Sequence, residues 1–325
     1  MLGFVTTSIY KSVAESRVNK IDINGKSLVT PCYFPAVSSC VTTYSTSDLL
    51  KFLGQHSRPL LTSAYDLYTE SLGGIPIEKQ LGELSANIIL LDSGRYESSW
   101  FNDTDWTFER YREVVQQALS DFYMSFDVFP GDAQDHFEQE TISHIRQSIA
   151  VRSDDVCIPV LHMTTHDTLF SVLETITTDG VKLVALPERE LGDTILERCS
   201  NLYEVRQFLD SRSPDVLIHI LGCGHPVSLL LYIYAGADTF DSLDWQKFVI
   251  DPSDLSFKDY SHLFLTNCRC RYCSNDALPY VHRVYLHNLL FIKQFLNDII
   301  LSIKDDTFGS FLKRYVSPPV LGGMS

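Results

Sequence analysis

The chain has 325 residues, of which 45% are apolar, 21% charged and 12% aromatic. That composition builds one sizeable hydrophobic core or two small ones, and it excludes a disordered tail. Forty-one acidic residues outnumber 26 Lys and Arg, giving a formal charge of −15, which argues against holding a phosphate backbone through overall charge.

Residues 1–20 contain no basic segment followed by an apolar run, so no signal peptide is expected. The longest apolar run, 227–235, is too short to span a bilayer. Five of the eight cysteines are scattered (Cys32, Cys40, Cys157, Cys199, Cys223) and three are packed into Cys268-Arg269-Cys270-Arg271-Tyr272-Cys273. This is not a disulfide framework, and the expectation is a reducing, cytoplasmic location with no membrane association.

Eight short apolar runs rich in β-branched residues recur along the chain, at 31–37, 59–63, 87–92, 121–129, 156–162, 181–187, 216–222 and 237–241. Most are continuously apolar, as strands buried on both faces of a parallel sheet are. Helical patterns lie between them at 107–120, 135–151, 167–178, 193–209 and 226–234. The first opens on Thr107 with an imperfect capping box, three open on an Asp, and the last opens on Pro226. This alternation predicts an α/β fold, a (β/α)₈ TIM barrel, with a doubly wound open sheet as the structural alternative. Residues 1–247 would form the barrel core. Residues 248–325, where the alternation stops, would form a zinc-binding segment and closing helices packed on the barrel, with a long amphipathic helix at 283–303.

In such a barrel the active site lies at the C-terminal ends of the strands. Several runs end there in a titratable or glycine-rich group: Asp92-Ser93-Gly94, Asp127, His162, Gly222-Cys223-Gly224-His225-Pro226, and Asp241-Ser242. One such Asp is ordinarily only the cap of the next helix. Three carboxylates on one rim point to chemistry. Two carboxylates facing one pocket suit glycosidic chemistry, in which one attacks the anomeric carbon and the other manages the leaving group's proton.

The Cys-x-Cys-x-x-Cys set is a dense group of thiolates flanked by arginines, not by apolar packing. Zinc takes four N or S ligands in a tetrahedron. The nearest downstream histidines are His282 and His287, and His287 falls on a predicted helix. A closed four-ligand site would be structural.

Taken together, these residues resemble the tRNA-guanine transglycosylase superfamily, zinc-containing (β/α)₈ barrels that exchange a guanine in a polynucleotide for a 7-deazaguanine base. The matching pieces occur in the family's order over most of the chain. Asp92-Ser93-Gly94-Arg95-Tyr96 resembles the family's Asp-Ser-Gly-Gly-Phe, and Ser125-Phe126-Asp127 its base-recognition segment. Gly222-Cys223-Gly224-His225-Pro226 resembles Gly-Val-Gly-Lys-Pro, and 236–242 the segment carrying the nucleophile. Cys268, Cys270 and Cys273 with His287-Asn288-Leu289 resemble the zinc set.

The resemblance implies that Asp241 is the nucleophile, attacking C1′ to form a covalent glycosyl-enzyme intermediate. Asp92 would be the general acid/base, with Ser93 positioning the base, Tyr96 stacking on it and Asp127 accepting from its Watson–Crick edge. Gly222, Gly224 and His162 would complete the pocket, and Cys268, Cys270, Cys273 and His287 would hold structural Zn²⁺. It further implies a nucleic acid partner (tRNA or DNA), a free 7-deazaguanine base, and a homodimer or a partner subunit. The chain departs from the family pattern at His162-Met163-Thr164, where the family has Gln-Gly-Gly, and at 185–190, where it has Gly-Leu-Ala-Val-Gly-Glu. Two other readings stand beside this one: a catalytically altered accessory subunit of a transglycosylase, and a barrel enzyme acting on another N-glycoside.

Overall fold

The computed structural model of the chain describes residues 5–11, 15–41, 44–131, 136–152 and 156–316. The chain begins with a three-stranded antiparallel sheet, β1 (Val5–Lys11), β2 (Arg17–Ile23) and β3 (Lys26–Val29). Eight parallel strands follow: β4 (Cys32–Val37), β5 (Pro59–Ser63), β6 (Ile88–Asp92), β7 (Phe122–Met124), β8 (Val156–Ile158), β9 (Leu183–Pro187), β10 (Leu217–Leu221) and β11 (Thr239–Ser242). They pair in the order β8-β7-β6-β5-β4-β11-β10-β9. A parallel bridge between Val160 and Ala185 joins the two ends, with Leu161 N–H donating to Ala185 O at 2.9 Å and Ala185 N–H to Pro159 O at 2.8 Å. The sheet therefore closes on itself, as the barrel reading expects and an open doubly wound sheet does not.

Each of the eight apolar runs overlaps a barrel strand, and in two of them, 121–129 and 156–162, the strand covers less than half of the run. In 121–129 the last ladder bond is Ser125 N–H to Ile158 O of β8, and the ladder ends there because Phe126 N–H turns away to Ser148 Oγ. In 156–162 Pro159 has no N–H to give and ends β8. Helix starts also differ from expectation. The side chains that cap α7 (His166–Thr178) and α8 (Ile195–Arg212) are Thr165 and Thr194, which accept from Thr168 and Glu197 N–H; Asp167 and Asp193 do not cap them. The third predicted Asp cap, Asp135, lies outside the described residues. Thr107 precedes α5 (Phe108–Gln117) without a side-chain capping bond, whereas Pro226 opens α9 (Pro226–Tyr234) at its first position.

Strand parity sorts the side chains into two compartments. Phe34, Ala36, Leu61, Ile88, Leu90, Phe122, Met124, Ile158, Val160, Leu183, Ala185 and Leu217 fill the barrel interior. The alternate positions, such as Tyr33, Ile89, Val184 and Phe240, pack outward with the surrounding helices. Continuing the inward parity places Asp92 above Leu90, His162 above Val160, and Asp241 above Thr239. The polar residues at the strand ends thus belong to the top layer of the same interior.

The other mouth is plugged. Ile21, Ile23 and Leu28 of the β2–β3 hairpin join the interior apolar cluster, and Lys26 Nζ donates to Asp121 at 2.8 Å and to Asn87 O at 2.6 Å. A buried charge cluster fastens β2 to the barrel. Arg17 donates to both oxygens of Asp238 at 2.9 and 2.8 Å, Asn19 donates to Oδ1 at 2.7 Å, and Ile218 N–H donates to Oδ2 at 2.9 Å. Removing one partner of such a group strands the other in the interior. Asp238→Ala is therefore expected to cost roughly 3–5 kcal/mol of unfolding free energy in denaturant titrations. A loss under about 1 kcal/mol, the range of exposed pairs, would show that the cluster does not fasten the hairpin.

After β11 the chain forms α10 (Asp244–Lys247), a short hairpin of β12 (Phe248–Ile250) and β13 (Phe257–Asp259), and a 25-residue helix α11 (Tyr280–Lys304). No helix among the described residues is long and apolar enough to cross a membrane. Asn288 of α11 accepts from Ile250 N–H at 3.0 Å and donates to Trp245 O at 2.9 Å and Phe248 O at 2.7 Å. That side chain docks the helix on the segment that leaves the barrel.

Candidate active site and metal centre

The C-terminal mouth gathers most of the polar residues anticipated from the sequence. Ser93 Oγ donates to Asp127 Oδ1 at 2.7 Å, and His162 Nε2 meets Asp127 Oδ2 at 3.0 Å. On its other side His162 Nδ1 meets Glu190 Oε1 at 2.7 Å, while Glu190 Oε2 accepts Met163 N–H at 2.9 Å. Ser93, Asp127, His162 and Glu190 thus form one chain across the rim, from the loop after β6 to the turn after β9. Trp106 fixes its start, donating to Ser93 O at 3.2 Å.

Asp241 sits across the mouth. Its Oδ1 accepts Gly222 N–H at 3.1 Å and meets His219 Nε2 at 3.1 Å; His219 Nδ1 meets Thr239 Oγ1 at 2.8 Å. The tautomer with the proton on Nε2 satisfies both contacts, with the Thr239 hydroxyl donating to Nδ1. Gly222 has φ +79, the left-handed region glycine adopts without strain, and this turn aims its N–H at the carboxylate. Gly224 is turned elsewhere: a Cβ there would lie 2.7 Å from Ser242 Oγ and 2.8 Å from Asp244 Oδ2. It permits close packing of the β10 loop on the residues after β11.

Asp92 is half-buried between these groups. Burial first, then the neighbouring Glu97, Asp127 and Asp241, push its carboxyl well above the usual carboxylate range. Behind it lie two further buried acids. Glu97 accepts from Ser38 Oγ at 2.6 Å, and Asp66 accepts from Ser39 N–H at 2.9 Å and Ser39 Oγ at 2.5 Å. Burial raises both, and Asp66, beside Glu97, reaches about 7. The mouth therefore holds acids in different surroundings: an Asp92 whose carboxyl is pushed up by burial and neighbouring acids, beside an Asp241 oriented by two contacts. A difference in environment of this kind is what acid and nucleophile roles need.

The loop after β6 is shaped by Gly94, where φ is +82 and a Cβ would lie 2.6 Å from Tyr65 N. It delivers Tyr96 on α4 (Arg95–Trp100), 48% exposed at the mouth and 6.3 Å from the Trp100 ring between centroids. Arg95 lies over the Phe126 and Phe129 rings at 5.1 and 4.9 Å.

Four residues were missed in the sequence. His219 is a lone histidine in an apolar run, and only the pairing of His219 with Thr239 across β10 and β11 places it beneath Asp241. Glu190 coincides with the Glu that closes the family's Gly-Leu-Ala-Val-Gly-Glu stretch, a signal that could have singled it out, whereas Glu97 and Asp66 follow strands or motifs without a spacing that marks them.

Away from the mouth, Cys268, Cys270, Cys273 and His287 offer four ligand atoms that all lie within 4.8 Å of one another. Cys270 Sγ is 3.4 Å from Cys273 Sγ and 3.8 Å from His287 Nδ1, and Cys273 Sγ is 3.3 Å from His287 Nδ1. A tetrahedral zinc with bonds of about 2.3 Å to sulfur and 2.0 Å to nitrogen has edges of about 3.5–3.8 Å. His287 Nε2–H donates to Ile250 O at 2.8 Å, which leaves the Nδ1 lone pair facing the sulfurs. Burial holds its pKa below the ordinary value, so the ring is neutral as a ligand must be. The four residues could hold a metal ion. His282, the other histidine considered, instead lies 5.2 Å from the Phe52 ring.

A closed barrel with Asp92, Asp127, Asp241 and Glu190 at its C-terminal mouth and a Cys₃His set outside it that could hold a metal defines a narrow class of (β/α)₈ proteins. The family model described as queuine tRNA-ribosyltransferase matches residues 12–318, and the chain belongs to that family. It is similar to the tRNA-guanine(15) transglycosylase of Thermococcus onnurineus, with 25% identity over 316 residues, covering 90% of this chain and 53% of that protein. It is also similar to the proteins of that name from Nanoarchaeum equitans (23% identity, 96% of this chain, 78% of the relative) and Archaeoglobus fulgidus (24%, 95%, 68%). The chain thus spans about half the length of the Thermococcus relative.

Proposed function

We propose that the chain exchanges guanine in a tRNA for a 7-deazaguanine base through a covalent intermediate on Asp241. The observation that carries this reading is the pairing at one mouth of Asp92, whose carboxyl burial and neighbouring acids push well above its usual range, with an Asp241 held by Gly222 N–H and His219. Both contacts fall on Oδ1, so Oδ2 is the oxygen offered for attack on C1′. As the C1′–N bond breaks, its electron pair leaves with guanine, and Asp92 supplies the proton that neutralises the departing base. The incoming base then gives its ring N–H proton to Asp92, attacks C1′ and releases the Asp241 carboxylate. Tyr96 stacks on the base in the pocket, and Asp127 accepts from its N–H edge. The target nucleotide must leave its stack to reach this mouth.

The polymer follows from the family and from relatives named for acting on tRNA. A charge of −15 means that phosphate contacts are local, because global charge opposes them. Arg58, Arg271 and Lys293, with Asp298 beside them, line a groove between α11 and the N-terminal ends of β4 and β5, just after α1 (Thr46–His56). Zinc is the metal that suits a Cys₃His set, and its role is structural. Incubation with radiolabelled guanine and either tRNA or duplex DNA tests the reading. Label in tRNA alone supports it, label in DNA alone reassigns the polymer, and label in neither overturns guanine exchange.

A further inference from the structure

His162 stands where the family carries Gln, and the structure shows what holds it. Its ring is buried, with Asp127 at 3.0 Å on one nitrogen and Glu190 at 2.7 Å on the other. Glu190 uses its second oxygen on Met163 N–H at 2.9 Å, so one carboxylate fixes both the ring and the backbone that carries it. The neighbouring acid Glu188 is committed elsewhere, accepting from Tyr232 OH at 2.9 Å and pairing with Arg198 at 3.4 Å.

We propose that Glu190 is a positioning residue for base recognition: it clamps His162 so that the ring donates to Asp127 and fixes that carboxylate toward the purine edge. This rests on the guanine-exchange reading. With Ser93 O–H on Oδ1 and His162 N–H on Oδ2, each oxygen of Asp127 keeps one further lone pair. Two parallel acceptors match two adjacent N–H donors, as on a guanine-type edge. A neutral imidazole has one N–H and one lone pair, so it cannot donate to two carboxylates at once. Burial alone would lower the His162 pKa, but the bonds to Asp127 and Glu190 outweigh it and raise it to about 9. The ring is therefore protonated at neutral pH, and the clamp is lost as pH rises through about 9. Other charges near it are Arg95, which lies across the Phe129 ring that packs 4.8 Å from His162, and Asp92, whose field reaches Asp127.

The experiment compares Glu190→Ala and Glu190→Gln with the wild type. One readout is the His162 titration by NMR, its signal assigned by absence from His162→Gln. The other is the kcat and KM for labelled guanine. Glu190→Ala should raise KM for guanine about tenfold, as loss of a charge-assisted hydrogen bond does, and leave kcat within a few-fold. In Glu190→Gln the amide can still donate to Nδ1 and accept Met163 N–H, so KM should recover to within a few-fold of wild type. In both variants the His162 midpoint should fall by at least one pH unit. An unchanged KM in Glu190→Ala, a fall in kcat in its place, or a Gln variant as defective as the Ala variant overturns the positioning role. If Glu190→Ala does not fold, an unmoved midpoint in Glu190→Gln overturns it. Absence of exchange in the wild type defeats the guanine-exchange reading instead, and the His162 midpoints still report whether the clamp exists.

Discussion

Replacing Asp241 with asparagine should lower guanine exchange by at least about a thousandfold while leaving the fold intact. The carboxamide keeps an oxygen to accept Gly222 N–H and the His219 contact, so the local hydrogen bonds survive. What it lacks is the anionic oxygen that forms the bond to C1′, and loss of a covalent nucleophile removes most of the rate enhancement. Asp241→Ala should be equally inactive and also less stable, by roughly 1–3 kcal/mol, because Gly222 N–H and His219 would lose their buried acceptor. Both variants should also lose any tRNA-linked species on denaturing gels. An Asp241→Asn variant with exchange within tenfold of wild type would place the nucleophile elsewhere.

The second large effect concerns the metal centre. Purified protein should carry one zinc per chain, and Cys273→Ser should lose it. The cluster joins the loop at 268–273 to α11, while Asn288, next to His287, docks that helix on Ile250, Trp245 and Phe248. Without a metal, three thiols converge on a buried imidazole with only weak sulfur hydrogen bonds to bind them together. Structural zinc contributes folding free energy outright, about 10–16 kcal/mol in isolated finger peptides. In a chain with a large independent core the expected loss is smaller, several kcal/mol, read as a fall in melting temperature on chelation and in Cys273→Ser alike. Protein purified without metal and indifferent to chelator would contradict the assignment.

Much of this architecture was written in local patterns. The eight strands were legible because each is buried on both faces and so reads as an apolar run bounded by turn residues. Asp92, His162 and Asp241 were legible because they end such runs, and barrel geometry turns strand ends into one mouth. The β1–β3 sheet was not legible. Its buried positions include Arg17 and Asn19, which look like surface residues until Asp238, more than 200 positions away, is placed beside them. The helix α1, opened by Ser45 with its Oγ accepting Asp48 N–H, carried a readable cap but lay outside the regions read as helical. Threonine rather than aspartate capped α7 and α8 because either side chain can accept the N–H two or three residues on, and position decides between adjacent candidates. His219 depends on pairing between strands, which no single segment contains, whereas Glu190 stands at the closing Glu of the family's Gly-Leu-Ala-Val-Gly-Glu stretch, inside a segment that otherwise departs from it. The charge of −15 was legible too, and under the proposed function it confines phosphate contacts to local basic groups.

The central claim is that Asp241 carries the nucleotide between departure of one base and arrival of the next. The most direct measurement traps the wild-type protein with tRNA, digests the RNA and maps the modified peptide by mass spectrometry. The account predicts a ribose-phosphate adduct on the peptide containing Asp241, absent from Asp241→Asn. An adduct on another residue, or guanine exchange with no adduct under trapping conditions, would contradict it.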